Sequence, residues 1–396
     1  MRLENLELVD FRSYREARIV FGPGVRVLIG ANAQGKTNVL ESVQYLATGG
    51  SHRVATDVPL VRAGAEAAVI RAEGQSEGRR FLVELELRPG GRSRARINGQ
   101  PRPRVREAIG RVRAVLFAPE DLSLVRGDPS DRRRFLDDLL GQRRPAYLAA
   151  RQEYERALRQ RTALLRSLRG GRQGTSDLAT LDTWTQVLIQ TGATLLAARI
   201  AAVHALSGPA GAAYQDLVAS SPAREAEGAV QLDYLLSTGR TVAGRSDAGI
   251  PDLADLVQEL RAGLDELSDA ERERGVTLVG PHRDDLVLGL NDLPAKSYAS
   301  QGEAWSLALA LRLASREVIA ETGPEPIVLL DDVFAELDEL RRSRLAARCA
   351  AFEQVLVTAA VDDDVPLAGP RYFVRAGTVT TDPSLVDLPD VPRERS

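Results

Sequence analysis

Several things are scarce in this sequence. Among 396 residues there is one cysteine, Cys349, which leaves no partner for an internal disulfide. It recurs at helical spacing with Leu345 and Phe352, so it reads as packing rather than as a reactive thiol. No zinc finger can be drawn, and the 5% aromatic content contains no RRM or base-stacking motif. Base-specific reading of nucleic acid is therefore not indicated. There is no 18-residue apolar run and no signal-peptide pattern, so a cytoplasmic chain without a membrane span is expected. No internal repeat is visible. Lysine is almost missing: of 52 basic residues only Lys36 and Lys296 are lysines. The rest of the composition, 44% apolar and 27% charged, is that of an ordinary soluble chain long enough for two or three domains.

The net charge of −3 hides an asymmetry. Residues 1–172 carry 33 Lys and Arg against 20 Asp and Glu, while the remainder carries 19 against 35. Arginine use can follow genome composition, but its concentration in one half points to an anionic partner.

One stretch organises the chain. Gly30-Ala31-Asn32-Ala33-Gln34-Gly35-Lys36-Thr37 fits the pattern G-x-x-x-x-G-K-[ST]. Val25, Val27, Leu28 and Ile29 precede it as a buried strand; Val39, Leu40, Val43 and Leu46 follow at helical spacing. The glycines let backbone N–H groups converge on a phosphate, and the helix adds its positive N-terminal end. Lys36 supplies a cation for the β- and γ-phosphates, and Thr37 a hydroxyl for Mg²⁺. ATP and Mg²⁺ are the cofactors expected.

Around this P-loop the chain alternates in kind. Arg2–Val9 and Ile19–Phe21 read as strands. Ala67–Arg71, Phe81–Arg88 and Arg92–Ile97 are strand-like runs split by Glu77-Gly78, Pro89-Gly90-Gly91 and Asn98-Gly99, which suggests an antiparallel lobe. Arg111–Phe117 is another strand. Asp128-Pro129-Ser130-Asp131 opens a helix. From Pro145 a heptad-like seam runs through Tyr147, Tyr154, Leu158, Leu165 and Leu168. A second holds Leu181, Trp184, Leu188, Thr191, Leu195, Ala198 and Ala202, with a turn at Gly170–Gly174. Two helices of roughly 25 residues would form an arm about 37 Å long. Residues 219–250 read as a loose connection, and Asp252–Glu273 as helix. Strands at Val276–Val279, Asp285–Leu290, Ile327–Leu330, Gln354–Thr358 and Tyr372–Arg375 then alternate with helices at Gln301–Glu321 and Asp338–Ala350. The segment 381–396 is Pro- and Asp-rich and reads as a disordered tail.

Ile327–Leu330 ends in Asp331-Asp332, the pattern of a buried strand delivering acids to an active site. Asp331 suits Mg²⁺ held through water, and Asp332 suits activation of the attacking water. Lys36 and Asp331 are far apart in sequence, so both ends of the chain must close the nucleotide fold and the middle is an insertion. Ser300-Gln301-Gly302-Glu303 stands at the start of an amphipathic helix, a second phosphate-binding geometry. Its blander reading is an ordinary N-cap.

With these residues in hand the chain resembles the RecF family, ABC-type DNA-repair ATPases related to SMC proteins, from Met1 to about Arg375. Beyond the P-loop, the resemblance is carried by Asp10-Phe11-Arg12-Ser13-Tyr14, Pro119-Glu120-Asp121-Leu122, Arg132-Arg133-Arg134-Phe135-Leu136-Asp137, Gly280-Pro281-His282-Arg283-Asp284-Asp285, Tyr298–Glu303 and Leu329–Asp338. It implies an α/β head at 1–127 and 275–380, an antiparallel β lobe, and an inserted, mainly helical arm at 128–274. It implies that Arg12 reaches the phosphates, and that Ser300, Gly302 and Glu303 serve nucleotide on a second subunit in an ATP-dependent homodimer. It also implies RecO and RecR as partners, RecA as the protein served, and work at single-strand gaps. Two departures suggest slow hydrolysis: no glutamine lies between Gln100 and Gln142, and no histidine follows Val355-Leu356-Val357. Asp332 is, besides, a shorter acid than the glutamate of ABC transporters.

Arg92, Arg94, Arg96, Arg102, Arg104, Arg106, Arg111 and Arg113 fall in one short stretch with Glu107 as its only acid. Such a run is a solvated face by default. Here it suits a DNA phosphate backbone, double-stranded or at a junction, with Arg102, Arg104 and Arg106 as candidate contacts. A weak, DNA-stimulated ATPase is expected. The rival readings are the ATPase subunit of a membrane transporter and a head that binds ATP without hydrolysing it.

Overall fold

The computed structural model describes residues 1–169, 175–218, 229–244 and 249–385. The expected turn at Gly170–Gly174 and the tail beyond 385 lie outside them. The chain divides into two compact units, Met1–Glu120 with Ile319–Ser396, and Asp121–Val318.

The first unit holds two six-stranded sheets. In the antiparallel one the order is β2 (Tyr14–Val20), β1 (Arg2–Phe11), β4 (Ala68–Ser76), β5 (Arg79–Leu87), β6 (Arg94–Ile97), β7 (Gln100–Arg102). Leu3, Leu6, Leu8, Ile70, Ala72, Val83 and Leu85 are buried on it. The expected turn signals sit at its corners: Glu77-Gly78 and Asn98-Gly99 adopt positive φ between paired strand ends. The second sheet runs β16 (Thr378–Thr380), β15 (Arg371–Arg375), β3 (Gly24–Ile29), β14 (Gln354–Ala359), β13 (Ile327–Asp331), β8 (Ala114–Phe117), parallel throughout except at β16. β13 and β14 are buried along their whole length, as a sheet covered on both faces requires. Helices α1 (Lys36–Thr48) and α10 (Glu339–Cys349) accompany it. Gln354 splices the two sheets: its side chain bonds Leu3 N, Leu3 O and Gly22 O at 2.7–2.9 Å.

The second unit is mainly helical. It comprises α2 (Leu122–Arg126), α3 (Pro129–Arg143), α4 (Pro145–Arg169), α5 (Thr175–Val218), α6 (Leu253–Glu266), α7 (Ser268–Arg274), α8 (Ala295–Tyr298) and most of α9 (Gln301–Ala320). A four-stranded antiparallel sheet completes it, in the order β10 (Thr241–Ala243), β9 (Val230–Leu235), β11 (Asp285–Leu290), β12 (Leu293–Pro294). The α4 and α5 seams meet through Leu165, Leu168 and Leu181.

Four expectations are corrected here. α5 has 44 residues instead of about 25. A stretch within it is long and apolar enough to cross a membrane by length and composition, contrary to the reading of no such run, but more than half of that stretch is buried in the protein. The connection at 219–250 contains β9 and β10, although 219–228 and 245–248 lie outside the described residues. Val276–Val279 is not a strand, because its polar groups are taken by side chains: Leu278 N donates to Glu271 Oε1 (2.6 Å), and Thr277 O accepts from His282 Nε2 (3.1 Å).

The RRRFLD and GPHRDD stretches knit this unit together. Arg132 makes a two-pronged bond to Asp285 (2.8 Å each) and Arg133 donates to Asp284 O. Arg199 of α5, 4% exposed, joins Asp137 (2.8 Å) to Pro281 O (2.7 Å). Thr277 O can only accept, so Nε2 of His282 carries the proton and Nδ1 accepts from Tyr154 Oη at 2.6 Å. Burial pushes the His282 pKa down to about 4, which keeps it neutral. His282 is thus a framework residue of this unit.

Candidate nucleotide site

β3 delivers the chain to the P-loop, and two glycines make the loop possible. A Cβ on Gly30 would stand 2.3 Å from Val374 O. Gly35 has φ 114° and would press a Cβ to 2.9 Å from both Ser13 Oγ and Tyr14 Oη. Tyr14 donates to Gly35 O (3.0 Å), and Gln34 Oε1 accepts from Ala376 N (2.8 Å), so the loop is gripped from both sides. α1 then starts at Lys36 with no side-chain cap, which leaves its first N–H groups for an anion.

The acids arrive from β13. It is separated from β3 by β14, and all three strands end at the same edge. Thr37 Oγ1 donates to Asp331 Oδ1 at 2.9 Å. Lys36, only 3% exposed, has its Nζ 4.0 Å from Asp332 Oδ2 and 3.3 Å from Ala31 O. Asp332 turns off the strand in left-handed geometry (φ 50°). Burial raises the Asp331 pKa to about 6, with Asp332 and Glu120 adding to the push against the hydroxyls of Thr358 and Thr37. Glu120 belongs to the short Pro119–Asp121 turn that occupies the expected glutamine loop.

Sequence reasoning therefore finds Gly30–Thr37, Asp331 and Asp332 in one place. Arg12 is at the tip of the β1–β2 hairpin, where Phe11 pairs with Tyr14. Its guanidinium is spent on Glu41 of α1, at 2.8 and 2.6 Å, and on Pro59 O at 2.9 Å. Burial alone would raise the Glu41 carboxyl, but the bonds from Arg12 and Ser51 outweigh it and hold the pKa below the usual range. Ser300, Gly302 and Glu303 stand at the start of α9 in the second unit. Ser300 is exposed and forms a capping box with Glu303: Ser300 N and Oγ donate to Glu303 Oε2 (2.8 and 2.7 Å), and Glu303 N donates to Ser300 Oγ (3.3 Å).

The arginine run is less uniform than its sequence. Arg94 and Arg96 lie directly across from Glu86 and Glu84 on β5, and Arg94 comes within 3.9 Å of Glu86. Arg113 is buried and caps the end of α9 through Ile319 O and Thr322 O, which removes it as a DNA contact. Arg102 on β7 and Arg104 and Arg106 in the following turn are partly or fully exposed. Given no role from sequence were Ser13 and Tyr14, which stood there only within the Asp10–Tyr14 stretch, and Glu41 and Thr358; they hold α1, the loop, Arg12 and the acids respectively. Their only other sequence signal is adjacency to Arg12, Lys36 and β14.

Fold and site together define an ABC-type ATPase head of the SMC kind. The chain belongs to the RecF/RecN/SMC N terminal domain family, whose model matches residues 2–368. Within that family it belongs to the RecF proteins. It is 52% identical to the DNA replication and repair protein RecF of Streptomyces avermitilis, over 96% of this chain and 99% of that protein. It is 51% identical to RecF of Frankia alni, over the same shares. A solved structure of the recombination mediator protein RecF-ATP in the RecFOR pathway superposes with TM-score 0.85 at 26% identity, covering 96% of each chain. An SMC head domain from Pyrococcus furiosus, solved with the C-terminal domain of ScpA, gives TM-score 0.51 at 19% identity over 96% of this chain and 95% of that one, a likeness of fold alone. The chain is accordingly an ATPase of this family.

Proposed function

We propose that this chain acts in recombinational repair and replication as an ATP-gated dimeric clamp on DNA at single-strand gaps, with slow, DNA-stimulated hydrolysis. The observation that carries the reading is the meeting of Lys36, Thr37, Asp331 and Asp332 where β3 and β13 end. A buried carboxylate 2.9 Å from a threonine hydroxyl is a hard-oxygen pair that fits Mg²⁺, which would neutralise charge on the β- and γ-phosphates. Lys36 would leave Asp332 for the phosphates, and Asp332 would then be free to orient and deprotonate the attacking water. Its short side chain and the lack of a histidine after Val355-Leu356-Val357 favour slow turnover. Arg12 joins the phosphate site only if it exchanges Glu41 for a phosphate oxygen.

Ser300, Gly302 and Glu303 would complete the site of a second chain, docking their helix N-terminus on its γ-phosphate. In this reading 1–127 and 275–380 work as the head, although 275–318 packs with the helical unit, and 128–274 works as the arm. Arg102, Arg104 and Arg106 would touch phosphates of double-stranded DNA or of a junction. The RecFOR pathway named for the solved RecF structures makes RecO and RecR the expected partners and RecA loading the expected outcome, in the cytoplasm with the chromosome.

ATPase rate with and without gapped DNA, on the native chain and on Lys36→Met, tests the reading. Stimulation by DNA in the native chain, together with sharply weaker ATP binding by the folded variant, is the expected result. A rate indifferent to DNA favours a transporter-like enzyme, no rate at all favours a structural head, and unchanged ATP affinity in Lys36→Met removes the P-loop assignment.

A further inference from the structure

β14 lies between the P-loop strand β3 and the acidic strand β13. β14 pairs with both neighbours in parallel, and its register sets Thr358 opposite Asp331 on one side and Leu28 on the other. Thr358 is 1% exposed. Its hydroxyl donates to Asp331 Oδ1 at 2.7 Å and accepts from Asp332 N at 2.9 Å; Leu330 O, at 3.5 Å, is a poor competitor for its proton. One hydroxyl thus holds the side chain of the first acid and the backbone of the second.

We propose that Thr358 is the positioning residue of the ATPase site, fixing the geometry of both acids at once. It rests on the ATP-site reading above. Asp331 Oδ1 receives two hydroxyl protons, from Thr358 and from Thr37 (2.9 Å). That sets the carboxylate plane and leaves Oδ2 for the water shell of a cation. A non-glycine residue in the left-handed region needs its neighbours to hold it there. The bond from Asp332 N to Thr358 does so, and thereby aims the Asp332 side chain across the site toward Lys36. Thr358, one residue before the end of β14, thus acts on the acids from behind.

The test compares Thr358→Val, which keeps the shape and loses the hydroxyl, with Thr358→Ser, which keeps the hydroxyl and loses a methyl. Two readouts are taken: steady-state ATPase, and Mn²⁺ binding to the ATP-bound protein by electron paramagnetic resonance. Thr358→Val should lose about 10- to 100-fold in kcat and in Mn²⁺ affinity, the usual cost of removing a partner of a metal-site acid, with little change in KM for ATP. Thr358→Ser should recover most of both. A Val variant like the native chain on both readouts overturns the proposal, as does a Ser variant as impaired as Val, since the methyl packing would then be what matters. Should circular dichroism show Thr358→Val misfolded, Thr358→Ala against Thr358→Ser decides in the same way. Lys36→Met run in parallel separates the two levels: if it still binds ATP, the site reading itself has failed, and if it does not, a silent Thr358→Val sinks only this inference.

Discussion

Burying a carboxylate without a counter-charge costs the free protein stability, and Asp331 is such a carboxylate. Its pKa is raised to about 6 from an ordinary value near 3.8 because it is buried. Between those values the folded chain binds more protons than the unfolded one, so stability falls as pH rises through that window. The full penalty stands at neutral pH, on the order of 3 kcal/mol by the linkage relation. Asp331→Asn keeps an oxygen for the hydroxyls of Thr37 and Thr358 and removes the charge. The nucleotide-free variant should therefore melt several degrees above the native protein at pH 8, with the gap closing toward pH 4. It should also lose the extra stabilisation that Mg²⁺ and ATP together give the native chain. Thermal melts at the two pH values measure both effects; a gap of equal size at pH 8 and pH 4 would mean that the charge is not the cause. A cation bound at Asp331, as proposed, would have to displace a proton below about pH 6.

At the scale of elements, the basic edge of the antiparallel sheet carries a second prediction. Arg102→Ala, Arg104→Ala and Arg106→Ala together should weaken DNA binding about equally across sequences and flatten the salt dependence by up to about three units. Titrations at several salt concentrations read both quantities, and survival of both would leave this edge a solvated face. These three are the contacts the sequence already singled out; what register and burial add, and sequence does not display, is that Arg94 and Arg96 face acids and Arg113 is buried. The period-2 alternation of β1, the turn residues of the hairpins and the apolar run before Asp331 were all legible because each is a local signal. Pairing partners are not local, so the acids opposite Arg94 and Arg96 and the burial of Arg113 could not be seen. α5 was cut short for a similar reason. Gly208, Pro209 and Gly211 are helix breakers by propensity, yet Leu206, Ala210, Ala213, Tyr214 and Leu217 are buried along the same helix, and packing outweighs propensity. Val276–Val279 failed in the opposite sense: a good strand sequence lost its ladder to the side chains of Glu271 and His282. In the site, the residues that would touch nucleotide were named by motif, whereas Glu41 and Thr358 act through other residues and leave no pattern, and the Asp10–Tyr14 stretch did not show what Tyr14 does.

For the whole molecule the question is whether one chain suffices. The P-loop, Asp331 and Asp332 form a coherent half-site in the first compact unit, while Ser300 caps α9 in the second. In the free chain the Glu303 carboxylate satisfies Ser300 N and Oγ, so a γ-phosphate docking on Ser300 would have to displace that carboxylate. Under the proposed reading, a dimer built on that helix end would exchange one anion for another, and its assembly would depend on ATP rather than on apolar burial. Two substitutions separate binding from assembly. Ser300→Arg leaves Lys36, Thr37 and Asp331 untouched, so ATP binding by the monomer should stay near the native level. The bulky cation would fill the docking position, and ATP-induced dimerisation and hydrolysis should both be lost. Asp332→Asn should act in the opposite direction: the docking end is intact and the water-activating carboxylate is gone, so ATP dimers should accumulate and persist. Light scattering with ATP, on both variants and with ATP affinity measured alongside, distinguishes the cases. If Ser300→Arg dimerises as the native chain does, the phosphate site is built within a single chain and α9 is only a capped helix.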